Sequence, residues 1–339
     1  MAIDVHAHYV PPVLLDELEA RGKDFGISVH HAPACLCALH FEGGPKLRPF
    51  FPALVEPIDA RKKAMDRSSV RRQVLSTWTD LAAPHLDAAT ATEWHRFLNG
   101  ALCKICQADR DRFSFLASLP LQDGEAAARV LEFEVRENGA VGAVIAANCH
   151  DVNLGELKLD PLWETACALD VGIFIHPVQA VPQKRSAKFG LTQSVQYTMD
   201  TTMSAGSLIM SGVLDRYPKL RLLLSHGGGS LPYLIGRFDC MHARMDKAAQ
   251  GDVAQHQPSA YLQRFFYDTI VHDPEILHWL STRVSVEQLV LGSDYSFPPA
   301  DLDPVGTVRA AGFADAEVTA ILRDNAHALF PALRGSDGC

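Results

Sequence analysis

The sequence lacks two features that would point to a membrane or a nucleic-acid partner. No stretch comes near the roughly 20 consecutive apolar residues that a membrane helix needs. Basic residues are in the minority, since 31 Lys and Arg stand against 40 Asp and Glu for a net charge of −9. This balance argues against a broad basic face, and we expect neither nucleic acid nor an anionic membrane as a main partner. The first residues show no signal-peptide pattern, so we expect a cytoplasmic protein.

Cysteine occurs eight times, but not in an arrangement typical of a zinc knuckle or a disulfide framework. The two close pairs are Cys35 with Cys37 and Cys103 with Cys106, and neither pair has a matching second half. The second pair lies in a segment with helical periodicity, residues 94–108, where cysteine usually behaves as a small buried apolar residue. We therefore expect reduced thiols.

The order of segments along the chain predicts the fold class. Apolar residues make up 47% of the chain and charged residues 21%, with no internal repeat. Eight short β-rich segments recur, each followed by a helix-like stretch, which is typical of a parallel α/β fold. Their number predicts a single (β/α)8 TIM-like barrel over residues 1–339, because such a barrel takes roughly 250 residues plus insertions. The predicted strands are residues 3–9, 73–78, 113–119, 141–147, 172–176, 221–226, 265–270 and 289–294.

A long segment rich in Pro, Gly and His separates the first two predicted strands. It covers residues 12–60, and insertions of this length are usually functional. Because it follows the carboxyl end of the first strand, we expect it to cap the mouth of the barrel.

Five ionisable residues stand at the ends of predicted strands: His6 and His8, His176, His226 and Asp294. The carboxyl ends of barrel strands converge on one face. Side chains two residues apart on a strand point the same way, so His6 and His8 can reach a single ion. Imidazole and carboxylate are zinc ligands, and a catalytic zinc keeps one position open for water, whose pKa it lowers to around 7. The set therefore predicts a catalytic metal site.

The other histidines show no such placement, and a lone histidine is more often a hydrogen-bonded core or loop residue than a ligand. We interpret them as structural or solvated. They are His30, His31, His40, His85, His95, His150, His242, His256, His272, His278 and His327.

Four short motifs carry a resemblance to a known family. Residues 4–8 (DVHAH), 175–177 (IHP), 225–229 (SHGGG) and 291–298 (LGSDYSFP) resemble the signatures of the decarboxylase branch of the amidohydrolase superfamily. Within that branch the sequence is most similar to the 2-amino-3-carboxymuconate-6-semialdehyde decarboxylase family. The resemblance runs nearly end to end and includes residues 120–123, 234–237, 264–268 and 325–326.

The resemblance implies a set of roles. His6, His8, His176 and Asp294 would bind one zinc ion, with another divalent metal such as Mn2+ as an alternative. His226 would act as general base, with Asp294 as the second catalytic residue in proton handling. Binuclear members generally carry a lysine at the end of the fourth strand, where residues 146–150 here read AANCH, so a single metal is expected.

The resemblance also implies how a carboxylate substrate is bound. Arg48, Arg237 and Phe297 match its substrate-binding positions, and Arg237 would reach the site of a neighbouring subunit in a homodimer. Taken without the family, each arginine is interpreted as a surface residue. The family's aromatic residues after the fifth strand are not matched in residues 178–189, and the roles of Lys184, Arg185, Lys188 and Phe189 stay open.

The resulting hypothesis is a zinc-dependent, non-oxidative decarboxylase of a carboxymuconate semialdehyde or a similar unsaturated or aromatic acid. Some related decarboxylases of aromatic acids begin Glu-x-His, so the pair His6 and His8 favours the semialdehyde side. One alternative is a hydrolase or hydratase acting on a lactone or an unsaturated diacid, because the ligands create the nucleophile and the pocket decides what it attacks. A non-catalytic barrel that binds small acids is a further alternative.

Overall fold

A computed structural model describes residues 1–32, 36–178, 184–246 and 253–336 of the chain. Its strands in chain order are β1 (Ile3–His8), β2 (Ile27–Ala32), β3 (Leu36–Phe41), β4 (Arg72–Ser76), β5 (Phe113–Ser118), β6 (Gly142–Ala146), β7 (Asn148–Cys149), β8 (Val152–Asn153), β9 (Gly172–His176), β10 (Arg221–Leu224), β11 (Phe265–Asp268) and β12 (Leu289–Val290).

Eight of these strands form one parallel sheet in the order β1-β4-β5-β6-β9-β10-β11-β12. The chain after β12 returns to β1, because the Val5 amide donates to the Leu291 carbonyl at 2.9 Å and the Asp294 amide donates to the His6 carbonyl at 2.8 Å. The sheet is thereby nearly closed into a barrel. The predicted (β/α)8 fold and its eight strands are confirmed, although the eighth strand ends at Val290 rather than at residue 294.

Helices follow most of the barrel strands. They are α1 (Pro12–Arg21), α2 (Ile58–Arg67), α3 (Ala88–Ala108), α4 (Gly124–Arg136), α5 (Asp160–Leu169), α6 (Tyr197–Met210), α7 (Val213–Arg216), α8 (Leu231–His242), α9 (Pro274–Val284), α10 (Pro304–Ala310), α11 (Asp315–Thr319) and α12 (Asn325–Leu329). Asp87, Asp123 and Asp273 cap α3, α4 and α9 by accepting hydrogen bonds from first-turn amides. None of the helices in the described part of the chain combines the length and apolar character that a bilayer span requires.

The interior of the barrel is closed at its amino-terminal end. Leu329 and Phe330, at the end of α12, lie against Gly142 and Gly172, which begin β6 and β9. A β-carbon at Gly142 would lie 2.7 Å from the Phe330 ring, so only glycine permits this close packing. The predicted site residues lie at the opposite, carboxyl-terminal end of the barrel.

The predicted insertion folds as α1, the antiparallel hairpin β2–β3 and a short 3-10 turn, Pro52–Leu54. Its apolar side chains form a cluster with Trp78 and Leu81, which follow β4. Among the described residues, Cys103, Cys106, Cys149, Cys167 and Cys240 are free thiols.

Candidate metal centre

Five side chains meet at the carboxyl-terminal end of the barrel. His6 and His8 come from alternate positions of β1, and His176 is the last residue of β9. His226 follows β10 by two residues, and Asp294 lies in the loop after β12. The structure therefore brings together the residues that the sequence places at strand ends.

The distances within this cluster are those of ligands around a common point. His6 Nε2 lies 3.0 Å from His8 Nε2 and 3.2 Å from Asp294 Oδ1. Asp294 Oδ1 is also 3.4 Å from His8 Nε2, and Asp294 Oδ2 is 3.6 Å from His226 Nε2. One ligand atom each from His6, His176, His226 and Asp294 lies within 4.8 Å of the others. The ring of the predicted ligand His8 is 4.7 Å, centroid to centroid, from that of His176, so His8 belongs to the same cluster.

Three of the histidines have a fixed partner at Nδ1. These partners are Asp268 Oδ2 for His6 (2.6 Å), the Thr77 carbonyl for His8 (3.1 Å) and the Pro177 carbonyl for His176 (2.7 Å). With Nδ1 donating, Nε2 presents its lone pair to the centre, as in metal-binding histidines. His176 Nε2 and Asp294 Oδ1 are buried and have no hydrogen-bond partner in the described part of the chain. Orphaned buried acceptors of this kind fit a bound cation.

The electrostatics of the cluster also favour a cation. Burial alone would lower the pKa of His6, but the carboxylates of Asp294 and Asp268 outweigh it and raise that pKa to about 10. Burial alone would raise the pKa of Asp294, yet the neighbouring imidazoles of His6 and His226 hold it well below its usual value. Burial and the neighbouring imidazoles lower the pKa of His176. A positive charge is therefore stabilised here by buried carboxylates, next to a histidine that stays neutral.

Asp268 connects two of the cluster's histidines. While Oδ2 accepts from His6 Nδ1, it also accepts from the His226 amide at 2.9 Å, and Oδ1 accepts from the Gly227 amide at 2.8 Å. The backbone of His226 is left-handed at φ 55°, an uncommon conformation for a non-glycine residue, and Asp268 stabilises it. Asp268 has no role among the sequence-based predictions, although its place at the end of the seventh strand is the same signal that identifies the other site residues.

We expect Asp268→Asn to weaken metal binding roughly 10–100-fold, because an amide would hold the His6 ring less firmly in the required tautomer. Titration of the metal-free protein with Zn2+ or Mn2+ measures this directly. The matched control is Asp59→Asn on α2, an exposed carboxylate, which should leave the affinity unchanged. Equal affinities of Asp268→Asn and the control would show that Asp268 does not orient His6.

An aromatic wall links the cluster to Arg48. The Phe297 ring lies 4.9 Å from that of His8 and 5.5 Å from that of Phe51, measured between centroids. The Arg48 guanidinium stacks on Phe51 at 4.7 Å and on Trp78 at 5.5 Å. The structure thus places Phe297 against the cluster, and Arg48 on the aromatic rings that pack next to Phe297.

Tyr197, at the start of α6, is a neighbour of Arg48 that sequence analysis missed. Burial, the largest effect, raises the pKa of its phenol, with Asp80 adding to the shift and a hydrogen bond donated by the Arg48 guanidinium opposing it. Tyr197 therefore keeps its proton. Tyr197 belongs to no recognisable sequence motif, so only the fold shows that it lies beside Arg48.

The remaining predicted residues are not brought into the cluster. Arg237 is exposed on α8. Phe189, whose role the sequence leaves open, is 92% exposed. Lys184, Arg185 and Lys188 are also exposed, while residues 179–183 of the same loop lie outside the described part.

A sequence profile of the amidohydrolase family matches residues 3–332, nearly the whole chain. The chain belongs to the amidohydrolase family. This amidohydrolase is similar to the 2-amino-3-carboxymuconate-6-semialdehyde decarboxylase of Dictyostelium discoideum, with 30% identity over 305 residues that cover 90% of this chain and 84% of the relative.

Two solved structures of decarboxylases share the fold of this amidohydrolase. The 5-carboxyvanillate decarboxylase from Sphingomonas paucimobilis matches with a TM-score of 0.79 and 23% identity, over 97% of this chain and 98% of the other. A dihydroxybenzoic acid decarboxylase from Polaromonas, with bound manganese and the inhibitor 2-nitroresorcinol, matches with a TM-score of 0.75 and 23% identity, over 97% and 96%.

The family match and the 30% identity to the semialdehyde decarboxylase confirm the predicted place of this amidohydrolase in the decarboxylase branch. Together they indicate an enzyme, a metal-dependent carboxy-lyase. The histidine and aspartate cluster supports a divalent metal, whereas zinc in particular stays a prediction.

Proposed function

We propose that this amidohydrolase is a zinc-dependent, non-oxidative decarboxylase of a carboxymuconate semialdehyde or a similar unsaturated or aromatic carboxylic acid. The observation that carries the proposal is the cluster of imidazole and carboxylate groups with a guanidinium beside it, in a chain 30% identical to a semialdehyde decarboxylase. The relatives with solved structures act on aromatic acids, which supports the wider substrate class.

In this proposal His6, His8, His176 and Asp294 would hold one metal ion. His6, His8 and His176 are buried, and each has a fixed Nδ1 partner. Three imidazoles and one carboxylate suit zinc and also suit manganese, the metal bound in the Polaromonas relative. When bound, the metal would supply a Lewis acid for substrate oxygen atoms and would lower the pKa of coordinated water.

His226 would handle protons rather than bind the metal. Its side chain is 14% exposed, unlike the fully buried His6 and His8, and its Nδ1 has no hydrogen-bond partner among the described residues. Its Nε2 lies 3.6 Å from Asp294 Oδ2, so a proton can pass between them when the groups close to hydrogen-bond distance. Loss of CO2 leaves an electron pair on carbon. As general base, His226 would first take up a proton from water and would then deliver it to this carbon, so that hydrogen replaces the departing carboxylate.

Arg48 would bind a substrate carboxylate through its guanidinium. The guanidinium lies over Phe51 and Trp78, with Nη2 4.0 Å from Asp80 Oδ2. Its Nε is buried without a hydrogen-bond partner in the described residues, so donor capacity is left for a ligand. Phe297 would pack on the substrate's conjugated plane, and the insertion that carries Arg48 would cap the site.

We expect Arg48→Ala to lower kcat/KM by about 10–100-fold, mostly through KM, because a charge-assisted hydrogen bond contributes roughly 1.5–3 kcal/mol. Arg48→Lys should recover only part of this loss, since an ammonium cannot bind carboxylate with two parallel donors. Steady-state kinetics would measure both, with Arg309→Ala on α10, an exposed arginine, as control. An unchanged KM in Arg48→Ala would remove Arg48 from the substrate site.

We also propose a homodimer in which Arg237 of the partner subunit completes each site. Supporting this, Arg237 is exposed on α8, and two large side chains of the same helix, Tyr233 and Met241, are exposed as well.

The decisive test is CO2 release by the metal-loaded enzyme from carboxymuconate semialdehydes and hydroxybenzoates, assayed side by side. One CO2 for each molecule of acid consumed is expected from at least one of the compounds. Lactone opening or hydration without CO2 would overturn the proposal and favour the hydrolytic alternative.

A further inference from the structure

A cavity of about 350 Å3 lies beside the proposed metal centre, on the carboxyl side of β4, β5 and β6. Its wall includes Thr79, whose hydroxyl lies 2.9 Å from His176 Nδ1, and Val178, two residues after His176. Leu47, the neighbour of Arg48 in the chain, also lines the cavity. So does Asp80, which forms an ion pair with Arg48. A substrate whose carboxylate sits between the metal centre and Arg48 therefore has this cavity to hold its other end.

The cavity wall contains a buried polar group, the His85 imidazole, that has no hydrogen-bond partner among the described residues. Both ring nitrogens of His85 are buried, and neither makes a hydrogen bond within the described residues. Burial lowers the pKa of His85, with His150 adding to the effect, so the ring is neutral and carries one donor and one acceptor. Buried polar atoms are rarely left unsatisfied, and a ligand group is a direct explanation for this exception.

The insertion holds the His85 ring in place. The Phe41 ring packs edge to face on it at 4.9 Å between centroids. Gly44 lies so close that a β-carbon there would fall 2.4 Å from His85 Nε2. The ring is thus fixed between the loop after β4 and the hairpin segment rather than being a mobile surface side chain.

The charges around the cavity select the kind of group that fits. Asp80 and Asp151 line it, whereas no lysine or arginine does among the described residues. An anionic group there would meet two carboxylates and no fixed cation. The rest of the wall is largely apolar and includes Leu47, Leu119 and Leu121.

We infer that His85 is a specificity-determining residue that binds an uncharged hydrogen-bonding group, such as a hydroxyl or a primary amide, at the end of the substrate away from the departing carboxylate. Such a group both donates and accepts, so it pairs with either tautomer of a neutral imidazole. The inference rests on the proposed function, and it changes the interpretation of His85 as a merely structural histidine.

Binding of three nitrophenols to the metal-loaded enzyme at pH 8 tests this by calorimetry. A nitro group resembles a carboxylate in size and in its two oxygens but cannot leave as CO2. The probes are 2-nitrophenol, 4-hydroxy-3-nitrobenzamide and 4-hydroxy-3-nitrobenzoate. We expect the amide to bind about three- to tenfold more tightly than 2-nitrophenol, as one added hydrogen bond predicts, and the benzoate to gain nothing.

The ratio of the amide's affinity to that of 2-nitrophenol is then compared between variants, so that differences in intrinsic acidity of the probes cancel. In His85→Ala the amide should bind no more tightly than 2-nitrophenol. In His85→Gln, which keeps a hydrogen-bonding side chain, part of the amide's higher affinity should remain. The control His278→Ala, on an exposed face of α9, should behave as wild type.

If the affinity ratio were the same in wild type and His85→Ala, His85 would have no role in binding the amide. If the benzoate bound as much more tightly than 2-nitrophenol as the amide does, the preference for an uncharged group would be wrong. Failure of 2-nitrophenol itself to bind would instead count against the proposed metal and carboxylate site, and so against the function on which the inference rests.

Discussion

His226→Ala is expected to reduce turnover about 10²–10⁴-fold while the purified protein keeps close to one metal ion per subunit. In our assignment, His226 exchanges protons with the substrate and with Asp294, 3.6 Å away, whereas the metal is held by other side chains. Removing the imidazole should therefore abolish proton transfer without dismantling the metal centre. Metal analysis by mass spectrometry and CO2 release measure the two effects separately.

The same variant can contradict the assignment. His226 Nε2 is near enough to be grouped with His6, His176 and Asp294 as a possible ligand. If His226→Ala lost both metal and turnover, His226 would be a ligand and the division of roles between His226 and His8 would be wrong. Exposed His278→Ala should change neither quantity.

His176→Ala is expected to lose both the metal and the activity. His176 Nε2 is buried without a hydrogen-bond partner among the described residues, whereas Nδ1 is bonded to the Pro177 carbonyl. Nε2 is therefore the atom available to bind the metal. The loss of affinity should exceed the roughly 10–100-fold that typically follows removal of an outer partner, because a bond to the ion itself is removed. His8→Ala should behave in the same way.

A buried histidine outside the cluster supplies the control. His95 on α3 is fully buried and lies 2.8 Å from the Ser118 hydroxyl. His95→Asn should keep its metal even if it is somewhat less stable, as thermal unfolding would show. Retention of a full equivalent of metal by His176→Ala would end the assignment of His176 as a ligand.

The residues of the site that sequence analysis identified share a signal that is local in the chain. His6 and His8 are separated by the two-residue repeat of a strand, and His176 directly follows an apolar run, Gly172–Ile175. The barrel itself follows from the alternation of eight apolar strands with helical segments. Neither inference requires knowledge of which residues touch.

The residues that sequence analysis missed depend on contacts between distant segments. Asp268 bonds to His6 across 262 positions of the chain. Tyr197, at the start of α6, interacts with Arg48 across about 150 positions of the chain. His85 resembles any loop histidine until the cavity around it is seen.

From the sequence by itself came the fold class, the family and the set of side chains around the proposed metal, because strand periodicity and short motifs are encoded within a few neighbouring residues. The tertiary structure alone decided which partners orient those side chains, that Phe189 lies in solvent, and where a cavity extends beside His176. The physical reason is that hydrogen-bond partners and cavities are created by packing of segments far apart in the chain, and local patterns carry no information on their separation in space.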